Sequence, residues 1–263
     1  MDFSNLFFLY IFLPLSLAAY FLLPGIKLKN GVLVVFSLLF ALMGQWQALP
    51  LLLLTTTVNF FLGKKSTELW GMLTTVVWNV AFLLFFKLGL GGVFPVGISF
   101  YTFALISYQV DIYRGDCAPS DSFWEFLLYV SFFPKLLMGP IVTYRSMEKQ
   151  LRRRNMDSRS ILEGAVRFAV GLGKKVLIAD YAYGVYELLS KQTYGASAWF
   201  AALLYFFYIY FEFSGCIDMS IGLGRVFGFR LAENFNLPYM ARSITDFWRR
   251  WHITLGSFFR DYV

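Results

Sequence analysis

Charge is scarce in this sequence. Asp, Glu, Lys and Arg make up 15% of its 263 residues, against about 25% in an ordinary soluble domain. So little polar surface cannot cover a water-soluble globule of this size, and lipid must do part of the covering. Cysteine is scarcer still. Cys117 and Cys216 are the only two, far apart and without a partner motif, which excludes a disulfide framework and a cysteine-built zinc site. Histidine occurs once, as His252, so no site needing several imidazole ligands is present and no metal is expected. No basic region precedes the first apolar run and no convincing small-residue cleavage site follows it. It reads as a retained first helix rather than a signal peptide. Internal repeats, low-complexity tracts and soluble linkers are missing too, so residues 1–263 read as a single membrane domain, and an incomplete one.

Apolar and aromatic residues fill the space, at 58% and 21% of the chain, which is the make-up of a polytopic all-α membrane protein. Phe suits lipid-facing and packed surfaces, whereas Tyr and Trp favour the headgroup zones. The formal charge of +7 sits in loops between apolar runs. Phospholipid headgroups and the positive-inside bias account for it without nucleic acid.

A helix needs about 20 apolar residues to cross the hydrocarbon core. Phe3 to Ile26 carries no charge and predicts one span, kinked at Pro14 and closed by Lys27 and Lys29. Asn30 to Gly63 is uncharged as well. A turn at Gln45 to Pro50 divides it into two short helices packed as a hairpin, ended by Lys64 and Lys65. Leu69 to Phe86 is a further span. Leu88 to Val110 follows, loosened at its start by Gly89, Gly91, Gly92, Pro95 and Gly97, and Thr193 to Phe211 is the last clear span.

Phe126 to Tyr144 behaves differently, because Lys135 splits it and Pro134, Gly139 and Pro140 interrupt it. Each apolar half is roughly 14 Å as a helix, half of what a span requires. Such a piece enters the membrane only where protein or a water-filled cavity satisfies its backbone. Arg145 to Lys175 then carries nine positive residues against Glu148, Asp157 and Glu163, the strongest cytoplasmic signal in the chain. A full crossing by 126–144 would put that segment outside. A re-entrant hairpin keeps it inside, with Lys27, Lys29, Lys64 and Lys65, and leaves the loop near Gly91 facing out.

The densest polar cluster in apolar surroundings runs from Glu212 to Val263 and includes Asp218, Glu233, Asn234, Asp246, Arg249, Arg250 and His252. On one helix from Ser243 onward, Asp246 and Arg250 stand at i,i+4 and can pair. Trp248 and His252 share a face by the same spacing, and Trp251, Leu255 and Phe258 form an apolar seam. Two readings stay open at this point: an interfacial helix anchored by Trp and Arg at the headgroups, or a polar cavity with a function. A lone imidazole is likewise either a satisfied structural group or a base. Gly171 to Lys175 lacks the spacing, the following Ser/Thr and the preceding strand of a phosphate loop. Arg152, Arg153 and Arg154 read as a headgroup and topology signal. Ser99, Ser214 and Ser220 have no His and Asp beside them in sequence to form a nucleophilic triad.

PYMARSITDFWRRWHITLGSFFRDYV, from Pro238 to Val263, closely resembles the signature of the membrane-bound O-acyltransferase family. YFEFSGCIDMSIGLGRVFGFRLAENF, from Tyr210 to Phe235, resembles the segment before it. PVGISFYTFALISYQVDIYRG (Pro95 to Gly115), FLLYVSFFPKLLMGPIVTYRSM (Phe126 to Met147) and GLGKKVLIAD (Gly171 to Asp180) match earlier blocks. Within the family the pattern is most similar to the membrane subunits that acetylate alginate, and less to those that D-alanylate lipoteichoic acid.

The resemblance implies a ring of membrane helices around a thin centre with a tunnel, and transfer of an acyl group from a cytoplasmic thioester or carrier to a hydroxyl outside. It implies no resident cofactor, a polysaccharide acceptor, other proteins of an acetylation complex as partners, and a multi-pass place in the bacterial plasma membrane. His252 matches the first of two characteristic family histidines. The second, usually taken as catalytic, belongs to a later block that this sequence does not contain. Ala104 stands where Gln is common, Lys135 where Gln or Thr is common, and Glu212 where Asp is common. On this reading His252 is the catalytic base, Arg249 or Arg250 steadies the developing oxyanion or orients the imidazole, and Asp246 holds one Arg. Trp248, Asp218, Glu233 and Asn234 complete the cavity. Rival readings are D-alanyl or peptidoglycan O-acyl transfer, a transporter or flippase lined by the re-entrant segment, and an inactive family fragment.

Overall fold

The structure is a computed structural model that describes residues 2–92, 95, 97–154, 156–191 and 195–263. The expected start of the last span at Thr193, and some of the glycine-loosened stretch after Leu88, lie outside the described residues. Among those described, helices are joined by turns and extended segments, with no strand.

The first apolar run winds as a π turn, Phe8–Phe12, that passes directly into α1, Leu13–Leu22. Proline explains the widened turn. Pro14 has no N–H to give the carbonyl one turn back and its ring crowds that carbonyl, so Leu13 N–H reaches Phe8 O instead. Pro24 forces Leu23 extended and ends the helix. The expected hairpin is present as α2 (Ile26–Gly44) and α3 (Ala48–Gly63), followed by α4 (Leu69–Lys87) and α5 (Ile98–Arg114). Lys27 and Lys29 lie in the first turn of α2 rather than in a loop before it. By length and apolarity α2, α4 and the later α11 (Gly195–Val226) suffice to cross a membrane.

Polar groups buried between α3, α4 and α5 satisfy one another. Asn59 and Asn79 exchange amide hydrogen bonds of 3.0 and 2.7 Å. Gln109 donates to Asn59 Oδ1 at 2.9 Å and accepts from Ser66 Oγ at 2.7 Å. In an apolar solvent such bonds fix which helix faces meet.

The interrupted segment is a bent hairpin. α6 (Phe123–Ser131) stops at Phe132, α7 is the single turn Phe133–Leu136 with Pro134 in its first turn, and α8 spans Tyr144–Arg152 after an extended stretch. Neither α6 nor α7 is long enough to cross; α6 is buried from Phe126 onward and α7 throughout. The Arg152 guanidinium lies 3.2 Å from the Glu125 carboxylate, so the far end of α8 returns to the level where α6 began. The same end gathers the start of α2, because Asn30 Nδ2 donates to Leu151 O at 2.8 Å. It also gathers the ends of α1 and α11, through the Tyr20 hydroxyl on Phe227 O at 2.6 Å.

The long pair that follows departs from the sequence reading. α9 (Ser158–Gly173) continues through a π turn at Lys174–Ala179 into α10 (Asp180–Leu189), and packs along α11, Gly195–Val226. α11 is 32 residues long, about 48 Å, and runs well beyond Phe211 through the acidic residues. Glycines let the two backbones touch. A Cβ at Gly171 would lie 2.6 Å from Gly215 O, and one at Gly164 would lie 2.7 Å from Gly222 O. The basic segment ending at Lys175 is thus helical over most of its length. Arg167, Lys174 and Lys175 lie along the helix, and Asp218, Glu233 and Glu212 neutralise them. The last two helices, α12 (Ile244–Arg250) and α13 (Ile253–Tyr262), replace the single expected one.

Candidate active site

The break between α12 and α13 falls on His252, whose backbone is left-handed at φ 44° and ψ 54°. Histidine adopts this region more readily than most side chains. A short backbone pairing holds it there. Asn236 N–H donates to Arg250 O at 3.0 Å and Ile253 N–H donates to Asn234 O at 3.0 Å, so residues 234–236 run beside 250–253. Asn234 is fully buried. Its side-chain Oδ1 lies 3.1 Å from His252 Nδ1, and it accepts from Thr254 N–H at 2.9 Å and from Thr254 Oγ1 at 3.0 Å. Thr254 Oγ1 in turn accepts from Ile141 N–H at 3.1 Å, which ties the site to the extended stretch after α7.

Phe213 of α11 meets the imidazole edge-on, with centroids 4.9 Å apart. It stands eighteen residues after the start of α11 and thirteen before its end, roughly 27 and 20 Å along the axis. The ring therefore sits near mid-depth of the longest helix, where broken backbone is tolerated only inside protein.

Four charges brace the chain that carries Asn234. Arg167 donates through Nε and Nη2 to Asp218 Oδ1 at 3.0 and 2.9 Å, and to both oxygens of Glu233. Lys174 Nζ reaches Asp218 Oδ2 at 2.6 Å. These residues wall a small cavity of ≈ 160 Å³. Glu233 and Thr254 border a second, of ≈ 330 Å³. Phe213, the ring that meets His252, also lines a third, of ≈ 760 Å³, with Gly97, Lys175, Glu212 and Cys216. Among the described residues no group of His, Cys, Asp and Glu is placed to hold a metal.

The structure thus groups His252 with Asn234, and Asp218 with Glu233. The α12 residues stand apart. Asp246 does pair with Arg250, at 2.9 Å, but both side chains are about one third exposed, at 33% and 32%. Trp248 and Arg249 are exposed. Because the helix breaks at His252, the i,i+4 relation that would put Trp248 on the imidazole's face does not hold. Thr254, Phe213 and Arg167 were not legible as site residues. Arg167 and Lys174 stand seven apart on one helical face, and Asp218 lies opposite. That spacing is the signal the sequence carries for them.

The family model for membrane-bound O-acyltransferases matches residues 118–263. The probable alginate O-acetylase AlgI of Azotobacter vinelandii is 38% identical over 100% of this chain and 59% of its own length. That of Pseudomonas aeruginosa is 37% identical over 100% of this chain and 56% of its own. The peptidoglycan O-acetyltransferase of Helicobacter pylori is 33% identical over 99% of this chain and 60% of its own. The chain therefore spans less than two thirds of the length of these relatives.

Proposed function

This chain belongs to the membrane-bound O-acyltransferase family, and from that premise we propose that it forms the portion of an acetyltransferase that carries the first family histidine. The acceptors are hydroxyls of an exported polysaccharide. His252 carries this reading: it is the one imidazole of the sequence, it lies within the family-matched region, and its Nδ1 edge rests on the buried Asn234 side chain. A neutral imidazole takes the hydroxyl proton as the oxygen attacks the donor's thioester carbonyl. The tetrahedral adduct then collapses, the carbon–sulfur bond breaks, and the imidazolium returns the proton to the departing thiolate. Neither a Cys nor a Ser acyl-enzyme is needed. Polysaccharide is favoured over teichoic acid because the alginate O-acetylases align with the whole chain, whereas the teichoic acid D-alanyltransferase of Bacillus subtilis aligns with 64% of it at 29% identity.

On this reading turnover needs a second histidine, contributed by sequence like that beyond the aligned portion of the relatives. The bundle sits in the bacterial plasma membrane and works with other proteins of an acetylation complex. To test it, the chain is expressed alone and also joined to the remaining portion of the A. vinelandii relative, in cells that export unacetylated polymer. The joined protein should acetylate polymer and the short chain should not. His252→Asn, which keeps the left-handed backbone, should cut acetylation by about 10²–10⁴-fold. Undiminished acetylation by that variant would return His252 to a structural role.

A further inference from the structure

We infer that Asn234 is a positioning residue that holds His252 as its Nδ1–H tautomer, leaving the Nε2 lone pair as the base. The word base rests on the function proposed above, whereas the tautomer rests on hydrogen-bond logic alone. A backbone N–H can only donate, and Thr254 N–H points at the Asn234 side chain from 2.9 Å. The atom it meets must therefore be the amide oxygen, since the NH₂ group would set donor against donor. Thr254 Oγ1 agrees. Its lone pair is engaged by Ile141 N–H, and its own hydrogen is free to go to the same Asn234 oxygen at 3.0 Å. With the amide orientation fixed, the atom 3.1 Å from His252 Nδ1 is an acceptor. An unprotonated Nδ1 there would set lone pair against lone pair in a buried site, so Nδ1 carries the proton.

The rest of the surroundings favour the same state. Asn234 Nδ2 is buried without a partner, so the amide is held by its oxygen and not by its nitrogen. His252 Nε2 has no hydrogen-bond partner among the described residues, and it is not among the fully buried unpaired atoms. In water the neutral histidine ring prefers the proton on Nε2, so the protein inverts the intrinsic preference. A base needs this inversion when its Nδ1 edge is turned into the protein and its Nε2 edge is open. Asn234 Oδ1 would also stabilise the imidazolium that forms when Nε2 accepts a proton, since Nδ1–H then carries more positive charge.

The sequence offers an unusually clean test, because labelling histidine with ¹⁵N reports a single ring. The 263-residue chain, purified in detergent without a histidine tag, is examined near pH 7 by long-range ¹H–¹⁵N correlation. Nε2 is recognised by its couplings to both ring protons. The inference requires a pyridine-type Nε2 and a pyrrole-type Nδ1. Asn234→Asp, which keeps an acceptor, should preserve that pattern, and Asn234→Leu should move the proton to Nε2. A wild-type ring protonated on Nε2, or a mixture of tautomers, overturns the inference without any variant. The tautomer and the function fail separately. Nδ1–H in a joined protein that cannot acetylate would sink the function, and Nε2–H in one that can acetylate would sink the inference.

Discussion

His252 owes its left-handed φ to the pairing of residues 234–236 with 250–253. The same local chemistry explains what the sequence did not reveal at this scale. A helix of continuous i,i+4 spacing was the natural reading of residues 243–262. Only a tertiary contact, Asn234 against His252 and Thr254, interrupts it.

Elements were legible where charge marks their ends. Lys64, Lys65 and Lys87 bound α3 and α4, and the uncharged runs between such residues became helices within a few residues of expectation. The broken α6–α7 segment was legible for the same reason, since Lys135 and Pro134 stand inside it. α9 was not, because Arg167 interrupts its apolar face and Lys174 follows at its end, and the Asp218 carboxylate that pairs with both stands 51 and 44 positions away on α11. The glycine seam between α9 and α11 gives a prediction that separates packing from propensity. Gly171 has Gly215 O and Met219 N within 2.7 Å of a built Cβ, whereas Gly173 has nothing within 4 Å. Gly171→Ala must push the two helix backbones apart and should cost about 1–3 kcal/mol. Gly173→Ala, two residues away on the same helix, should be neutral or stabilise by up to about 1 kcal/mol. Thermal midpoints in detergent would distinguish them, and equal shifts for the two variants would reject the close seam.

Across the whole molecule the helices alternate between two ends, and their polar ties show which residues share one. Asn30 contacts Leu151 and Arg154, Arg152 contacts Glu125, and Tyr20 contacts Phe227. Lys27, Lys29, Glu125 and Arg152 to Arg154 thus belong to one end. Ser66 on Gln109 joins the Lys64–Lys65 turn to the last third of α5. The loop that leaves α4 after Lys87 lies at the opposite end, because α4 starts beside Ser66 and runs away from it for 19 residues. The positive-inside bias predicts that the basic end faces the cytoplasm. The charges of Arg167, Lys174 and Lys175 drop out of that count, since each meets a carboxylate of α11 or its following loop. Enough remain at the basic end to set the orientation without them. Asp121, Arg153 and Leu90 are exposed. With Cys117 and Cys216 replaced, single cysteines at those three positions would be probed in intact cells with a membrane-impermeant maleimide. Leu90→Cys should react from outside. Asp121→Cys and Arg153→Cys should both stay protected until the membrane is opened, because the hairpin between them returns to the side it left. Reaction of one but not the other would make residues 126–144 a full crossing. The ion pair between Arg152 and Glu125 could not then exist, since its partners would lie on opposite faces of the bilayer.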